Sequence, residues 1–225
     1  MFIERSMTRK VITIGPEAGL LEAREAMKTH GVPSLPVVGE DGVLLGIVTD
    51  RDLRSALPSG LLAPEEARRE RERIAAVRVK DLMTRDPVTV APVHTLQDAL
   101  ILILRAHVGT LPVVDEHRRV IGIISLRDML RAFEEVLGLN EPGTLLCVLA
   151  DEHPGQMKRI VDAVTEEGIR LGSVLVARDW EQGKRAFFPY LFTNNTIRIK
   201  RRLEALGFTL LNPLDWYLKP FRAGP

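Results

Sequence analysis

The chain has 225 residues, a formal net charge of +1, 45% hydrophobic and 27% charged residues, and one cysteine. That balance is enough for a buried core but gives no bulk field to attract nucleic acid or anionic membrane, and no apolar run approaches the ~18 residues of a membrane helix. Cys147 cannot staple the chain to itself, and Met1-Phe2-Ile3-Glu4-Arg5 lacks the apolar stretch of a secretory signal. A cytoplasmic, soluble protein is the expectation, with neither membrane nor nucleic acid as partner.

The chain repeats itself. Met7-Thr8-Arg9 recurs as Met83-Thr84-Arg85, an offset of 83 − 7 = 76. At that same offset Leu35-Pro36-Val37-Val38 falls on Leu111-Pro112-Val113-Val114, Gly46-Ile47 on Gly122-Ile123, and Arg51-Asp52 on Arg127-Asp128. Across residues 7–52 and 83–128, 17 of 46 pairs are identical without a gap, which marks a duplicated unit.

In chain order, each copy predicts a short β segment (Val11–Ile14; Val88–Val90) and a Pro-containing turn. A helix follows on Leu20, Ala23 and Met27, or on Leu96, Ala99, Leu100, Ile103 and Leu104. Two strands come next (Leu35–Val38 and Val43–Val48 in copy one), and a second helix opens at Thr49-Asp50-Arg51-Asp52 or Ser125-Leu126-Arg127-Asp128. A β-α-β-β-α unit this small cannot bury both faces of its sheet alone, so the two copies are expected to pack together. The predicted organisation is a first copy over 1–57, a linker over 58–78, a second copy over 79–137, a third domain over 143–212 and a tail over 213–225. The linker's balanced Glu/Arg run from Pro64 to Arg73 reads as a solvated helix.

The last third changes pattern. Thr144–Ala150 reads as a buried strand with Cys147 as a small core residue. Asp151-Glu152-His153-Pro154-Gly155 is a loop, followed by a helix over Met157–Glu167, strands over Ser173–Ala177 and Ala186–Phe192, a helix over Thr196–Leu206 and a strand over Phe208–Leu211. This β-α-β-β-α-β order is the ferredoxin-like split arrangement. Arg198, Lys200, Arg201 and Arg202 make a basic turn that reads as a solvated helix face.

The residues with chemistry to offer lie at the starts of the two second helices. At each, a Thr or Ser hydroxyl, free backbone N–H groups, an arginine and an aspartate converge. Two roles fit them: N-cap and helix-dipole partner, or a site in which helix end and arginine hold a phosphate and the carboxylate holds a ribose diol. The motifs Gly-Ile-Val-Thr-Asp-Arg-Asp and Gly-Ile-Ile-Ser-Leu-Arg-Asp, each downstream of Leu-Pro-Val-Val, resemble cystathionine-β-synthase (CBS) domains over residues 7–57 and 79–134. The resemblance implies an α/β fold in which the two repeats pack as a pseudo-two-fold pair (a Bateman module) with two clefts for adenosine-containing effectors. One cleft would combine Thr13 and Val32-Pro33-Ser34 with Ser125, Arg127 and Asp128; the other, Thr89 and Val108-Gly109-Thr110 with Thr49, Arg51 and Asp52. The family roles carried over are phosphate contact for Thr49 and Ser125 and ribose contact for Asp52 and Asp128. Pro33 has no backbone N–H to donate, which sets the first cleft apart.

The third domain, with Asp-Glu-His-Pro-Gly after its first strand, resembles an ACT domain, in which that loop contributes to an effector site. Asp151, His153, Pro154 and Gly155 are the residues at issue, with Asp151 suited to an amino group and the Gly155 amide to a carboxylate. A tight loop that needs Pro and Gly only for geometry is the alternative. The combination is similar to the acetoin-utilisation regulatory protein family and implies a homodimeric adenine-nucleotide sensor. No nucleophile–base pair, phosphate loop or dinucleotide fingerprint is present, and the histidines at 30, 94, 107, 117 and 153 share no ligand spacing. The expectation is therefore a non-catalytic protein with no metal and no catalytic cofactor. The rival reading is a scaffold with vestigial clefts that holds a partner enzyme.

Overall fold

The computed structural model describes residues 1–56, 74–181 and 183–212. The predicted helix over 64–73 and the tail over 213–225 lie outside them. The chain divides into two compact units, Met1–Leu130 and Arg131–Pro225.

The first unit contains both copies apart from the end of the last helix of copy two, which runs past Leu130. Copy one comprises α2 (Leu20–His30), β1 (Ser34–Val38), β2 (Leu44–Thr49) and α3 (Asp50–Ala56); a short α1 (Ile3–Ser6) precedes it. After α4 (Val79–Leu82) and β3 (Thr84–Arg85), copy two comprises α5 (Leu96–Ala106), β4 (Thr110–Val114), β5 (Val120–Ser125) and α6 (Leu126–Leu137). Leu20, Ala23 and Met27 on α2, and Leu96, Ala99 and Ile103 on α5, turn one face inward at the helical period. Leu35, Val37, Leu111 and Val113 are fully buried, each contributing ~1.5–3 kcal/mol relative to exposure.

Each hairpin is extended on both sides. Ile14 pairs in parallel with Val37, and Val90 with Val113. On the other side the copies trade their lead-in segments. Thr84 and Arg85, which open copy two, pair with Ile47 and Gly46 of copy one, while Thr8 pairs with Ile123 of copy two. Ile74 and Val79 likewise join the copy-one core around Leu20, Leu35 and Val48. Two glycines permit the exchange: a Cβ at Gly46 would stand 2.7 Å from Met83 Sδ, and one at Gly122 would stand 2.5 Å from Met7 Sδ. Both backbones must be bare for the methionines to lie across them.

In the second unit, β7 (Val148–Asp151), α7 (Gln156–Glu166), β8 (Leu171–Glu181), β9 (Lys184–Leu191), α8 (Ile197–Ala205) and β10 (Thr209–Leu210) follow the predicted order. The strands lie β10-β7-β9-β8, every pairing antiparallel. The predicted single strand over 144–150 is split into β6 (Thr144–Leu145) and β7, but both pair with β9 in one unbroken register. Leu146, Val148 and Ala150 face Ile160 and Val164 of α7 and Ile199 and Leu203 of α8. Cys147 and Leu149 alternate to the opposite face with Ala186. Cys147 is therefore a core residue, and burial pushes its thiol up to about 11.

Candidate functional site

Because the copies are related by an offset of 76, any contact between equivalent residues lies on the axis that relates them. Two such contacts occur. Ser34 Oγ and Thr110 Oγ1 share a hydrogen bond of 2.9 Å at the mouths of the hairpins. At the hairpin tips Val43 bridges Arg119, Leu44 N–H donating to Arg118 O (2.9 Å) and Val120 N–H to Gly42 O (3.1 Å). The pseudo-two-fold axis therefore runs lengthwise between the hairpins, with both mouths at one end.

The mouth is where the sequence motifs converge. Ser34 is the register partner of Thr49 across β1 and β2, and Thr110 that of Ser125 across β4 and β5. Thr49, Ser34, Thr110 and Ser125 form a row of hydroxyl residues across the axis, ending at the starts of α3 and α6. Ser34 is only 4% exposed, so the central hydroxyl pair satisfies itself rather than water. The Ser34–Thr110 contact was missed at the sequence level. Its signal was present, since both positions carry hydroxyls at the same offset.

At each helix start the aspartate and hydroxyl close a capping box. Thr49 N–H (2.8 Å) and Thr49 Oγ1 (2.7 Å) both donate to Asp52 Oδ2, and Asp52 N–H donates back to Thr49 Oγ1 at 3.3 Å. Ser125 and Asp128 repeat this at 2.9, 2.6 and 3.2 Å. Thr95 and Asp98 build the same box on α5, so the motif is in part general helix chemistry. The Thr49 and Ser125 hydroxyl protons are spent on carboxylates, which leaves neither free to donate to a phosphate in this arrangement. Asp52 Oδ1 and Asp128 Oδ1 carry no hydrogen bond among the described residues and remain acceptors. Arg51 and Arg127 are exposed in the first helical turn, and neither is paired with a carboxylate among the described residues.

The loops before β1 and β4 approach the same end. Asp50 N–H donates to Pro33 O (2.9 Å) and Leu126 N–H to Gly109 O (3.1 Å), which ties each loop to the helix start of its own copy. Val32 and Val108 close the preceding helix, their N–H groups bonding to Met27 O and Ile103 O. Thr13 and Thr89 lie farther along the sheet, next to Ile14 and Val90, which pair with β1 and β4 at Val37 and Val113. Neither makes a hydrogen bond to the hydroxyl row.

In the second unit Asp151, His153, Pro154 and Gly155 are all exposed. Gly155 stands at φ +91°, a left-handed conformation that favours glycine, and caps α7. His153 N–H donates to Asp151 O at 2.8 Å, and Glu152 is held by Arg185. The Asp151 carboxylate makes no hydrogen bond among the described residues. In the basic turn, Arg198 pairs with Glu167 at 3.1 Å and Arg202 with Glu166 and Glu167, so two of the four cations brace α8 against α7. Among the described residues no group of three or more His, Cys, Asp or Glu could hold a metal, and no helix is long and apolar enough to cross a membrane.

Two α/β halves that exchange strands about a pseudo-axis, with matching helix starts at one end, define a tandem domain-pair protein. A family model for the CBS domain matches residues 3–59 and 79–135, and the chain belongs to the CBS-domain family. It is 34% identical over 137 residues to a CBS domain-containing protein of Dictyostelium discoideum, covering 61% of this chain and 94% of that one. It is 39% identical over 127 residues to inosine-5'-monophosphate dehydrogenase of Korarchaeum cryptofilum, covering 56% of this chain but only 23% of the dehydrogenase. Among solved structures it resembles CBSX2 in complex with AMP, with 28% identity, a TM-score of 0.50, and coverage of 59% of this chain and 95% of that one. The family match ends at residue 135, ahead of the β6–β10 sheet.

Proposed function

We propose that the protein is a non-catalytic regulatory sensor that binds an adenosine-containing ligand, AMP or a relative of it, in two clefts flanking the hydroxyl row. The observation that carries this reading is the meeting of both Thr/Ser-x-Arg-Asp helix starts through the Ser34–Thr110 hydrogen bond. The likeness to a CBS-pair structure holding AMP supports it. One cleft draws on Thr13, Val32, Pro33 and Ser34 with Ser125, Arg127 and Asp128; the other on Thr89, Val108, Gly109 and Thr110 with Thr49, Arg51 and Asp52. The Oδ1 of each aspartate takes the ribose diol, and the exposed guanidinium takes the phosphate. The third domain is an ACT-like module whose Asp151–Gly155 loop offers an amino-acid effector site, a combination like that of the acetoin-utilisation regulators.

Such a ligand acts only through different affinities for two states of the protein. The second state belongs to a homodimer. Copy two exposes Ile101 and Leu104 on α5 and Leu130 on α6 where copy one carries Glu25, Lys28 and Arg54, and these apolar side chains suit contact with a second chain. Leu104→Lys with Leu130→Lys then yields a monomer in sedimentation; an unchanged dimer places the interface elsewhere.

The decisive experiment is a thermal-shift screen of ligand-stripped protein against AMP, ADP, ATP, S-adenosylmethionine and NAD, with free amino acids added separately. A ligand that binds only the folded state raises the melting temperature, by RT ln(1 + [L]/Kd) in stability. A rise with an adenosine compound supports the sensor. No rise with any of them, in a protein that melts cooperatively, favours the rival reading, a scaffold that holds a partner enzyme.

A further inference from the structure

The sheet of the second unit has two apolar faces, and its helices serve only one of them. Leu146, Val148 and Leu191 pack against α7 and α8 on the inner face. The alternate residues Cys147, Leu149 and Ala186 point to the outer face, where they are 8%, 4% and 0% exposed. The residues that join them there, Trp180, Phe188 and Leu211 among them, lie on the strands or at a strand end and on neither helix. The apolar surface continues to Leu175 and Leu145, which share the outer face by register with Phe188 and Tyr190 and are 47% and 51% exposed. A sheet face of this composition requires a second layer.

The chain itself arrives at that face. Side chains alternate along β10, so Leu210 joins the inner core and Leu211 the outer cluster, with Leu211 N–H donating to Cys147 O at 3.0 Å. The tail over 213–225, outside the described residues, follows one residue later. Aromatic residues make up 5% of the chain but 3 of these 13, Trp216, Tyr217 and Phe221. Side chains of that kind gain most from leaving water, each burying about 150–250 Å². Pro220 opposes a continuous helix through them, so an extended course is predicted. Trp216 stands five residues past Leu211, a reach of about 17 Å, and the crossing from β10 to β8 is three strand spacings, about 14 Å. The tail can therefore reach every strand of the sheet, including Trp180 and Phe188, whose rings meet edge to face at 5.5 Å.

We propose that the tail of the same chain is this second layer, with Trp216, Tyr217 and Phe221 seated on the outer face over Cys147, Leu149 and Phe188. The inner face is already filled by α7 and α8, which leaves the outer one as the only apolar surface of the sheet to receive them. A segment tethered at the edge of the face meets it at an effective concentration on the order of millimolar, which a separate chain in dilute solution does not match. The tail thereby closes the outer face against solvent and against other chains.

Cys147 is the one cysteine of the chain and lies beneath the proposed cover, so its thiol is the reporter. Labelling by a small thiol reagent is followed in the full chain, for wild type and for Trp216→Ser with Tyr217→Ser and Phe221→Ser. The triple variant still melts cooperatively and labels faster than wild type by about tenfold or more, as local opening demands. Phe208→Ala weakens the inner core instead and serves as the control, which the tail variant outruns at equal stability. Independently, Trp180→Phe leaves Trp216 as the single tryptophan. Its emission in the native protein lies at shorter wavelength than in urea, and acrylamide quenches it severalfold less. A tail variant that labels no faster than the control, or a Trp216 that is as exposed in native protein as in urea, overturns the proposal. Wild-type labelling that speeds up on dilution gives the cover to a second copy and overturns it as well.

Discussion

Ser34 and Thr110 are equivalent residues of the two repeats, and their hydroxyls meet at 2.9 Å on the axis that relates them. Neither hydroxyl has another protein partner among the described residues. The pair is thus both the central contact between the halves and the middle of the hydroxyl row that links the two helix starts.

Removing one member leaves the other without its hydrogen-bond partner, at a buried position when Ser34 remains and a half-buried one when Thr110 remains. Ser34→Ala or Thr110→Ala alone lowers stability by about 1–2 kcal/mol, whereas the double variant costs less than the sum of the two. Urea denaturation of the four proteins in the cycle measures this. Additive losses mean that the hydroxyls are not coupled.

Asp52 and Asp128 each carry a structural role on Oδ2 and an open acceptor on Oδ1, and the two roles respond differently to substitution. Asp→Ala at either position removes the cap and lowers stability by about 0.5–2 kcal/mol along with ligand binding. Asp→Asn keeps an oxygen for the Thr49 or Ser125 donors but turns the open atom into an amide donor, so stability falls less while binding at that cleft still drops. Denaturation and nucleotide titration of both variants separate the roles. Full nucleotide affinity in Asp52→Asn and Asp128→Asn would remove the carboxylates from the ligand site.

The helix ends test what the frame tolerates. α2 ends on Gly31 at φ +63°, and its counterpart α5 ends on His107 at φ +53°. A left-handed conformation costs a residue with a Cβ ~1–2 kcal/mol, so His107→Gly stabilises the protein, with the gain reduced by glycine's greater freedom in the unfolded chain to under ~1 kcal/mol. A lowered melting temperature instead would show that the imidazole makes a stabilising interaction.

The α5 cap resists acid. The Thr95 hydroxyl and backbone N–H hold the Asp98 carboxyl below its ordinary value of 3.8. A carboxylate lowered in the folded state contributes stability that is complete above its unfolded value and is lost as the pH falls through its folded one. The cap therefore stays intact at neutral pH and weakens only below about 3.8. Asp98→Asn flattens that part of the stability profile, as urea midpoints measured between pH 5 and pH 2.5, about the range in which such groups titrate, will show. An unchanged slope would mean that the capping box is not what lowers this group.

Much of the architecture was legible in the chain itself. The offset of 76, the helical spacing of Leu20, Ala23 and Met27 and the β-α-β-β-α-β order of the last third are local or periodic features, and the described elements follow them within a few residues. Thr49 was readable as an N-cap because capping uses only residues three apart. The exchange of lead-in segments was not legible. Met7 and Met83 show the same motif whether each packs on its own copy or on the other, and only the bare backbones at Gly122 and Gly46 decide it. The Ser34–Thr110 bond was hidden for the same reason. Sequence by itself determined that there are two equivalent helix starts with the residues of a ligand site. Only the tertiary structure decided which hydroxyls meet and which lead-in segment lies on which copy, because those depend on how the halves close on each other across the axis.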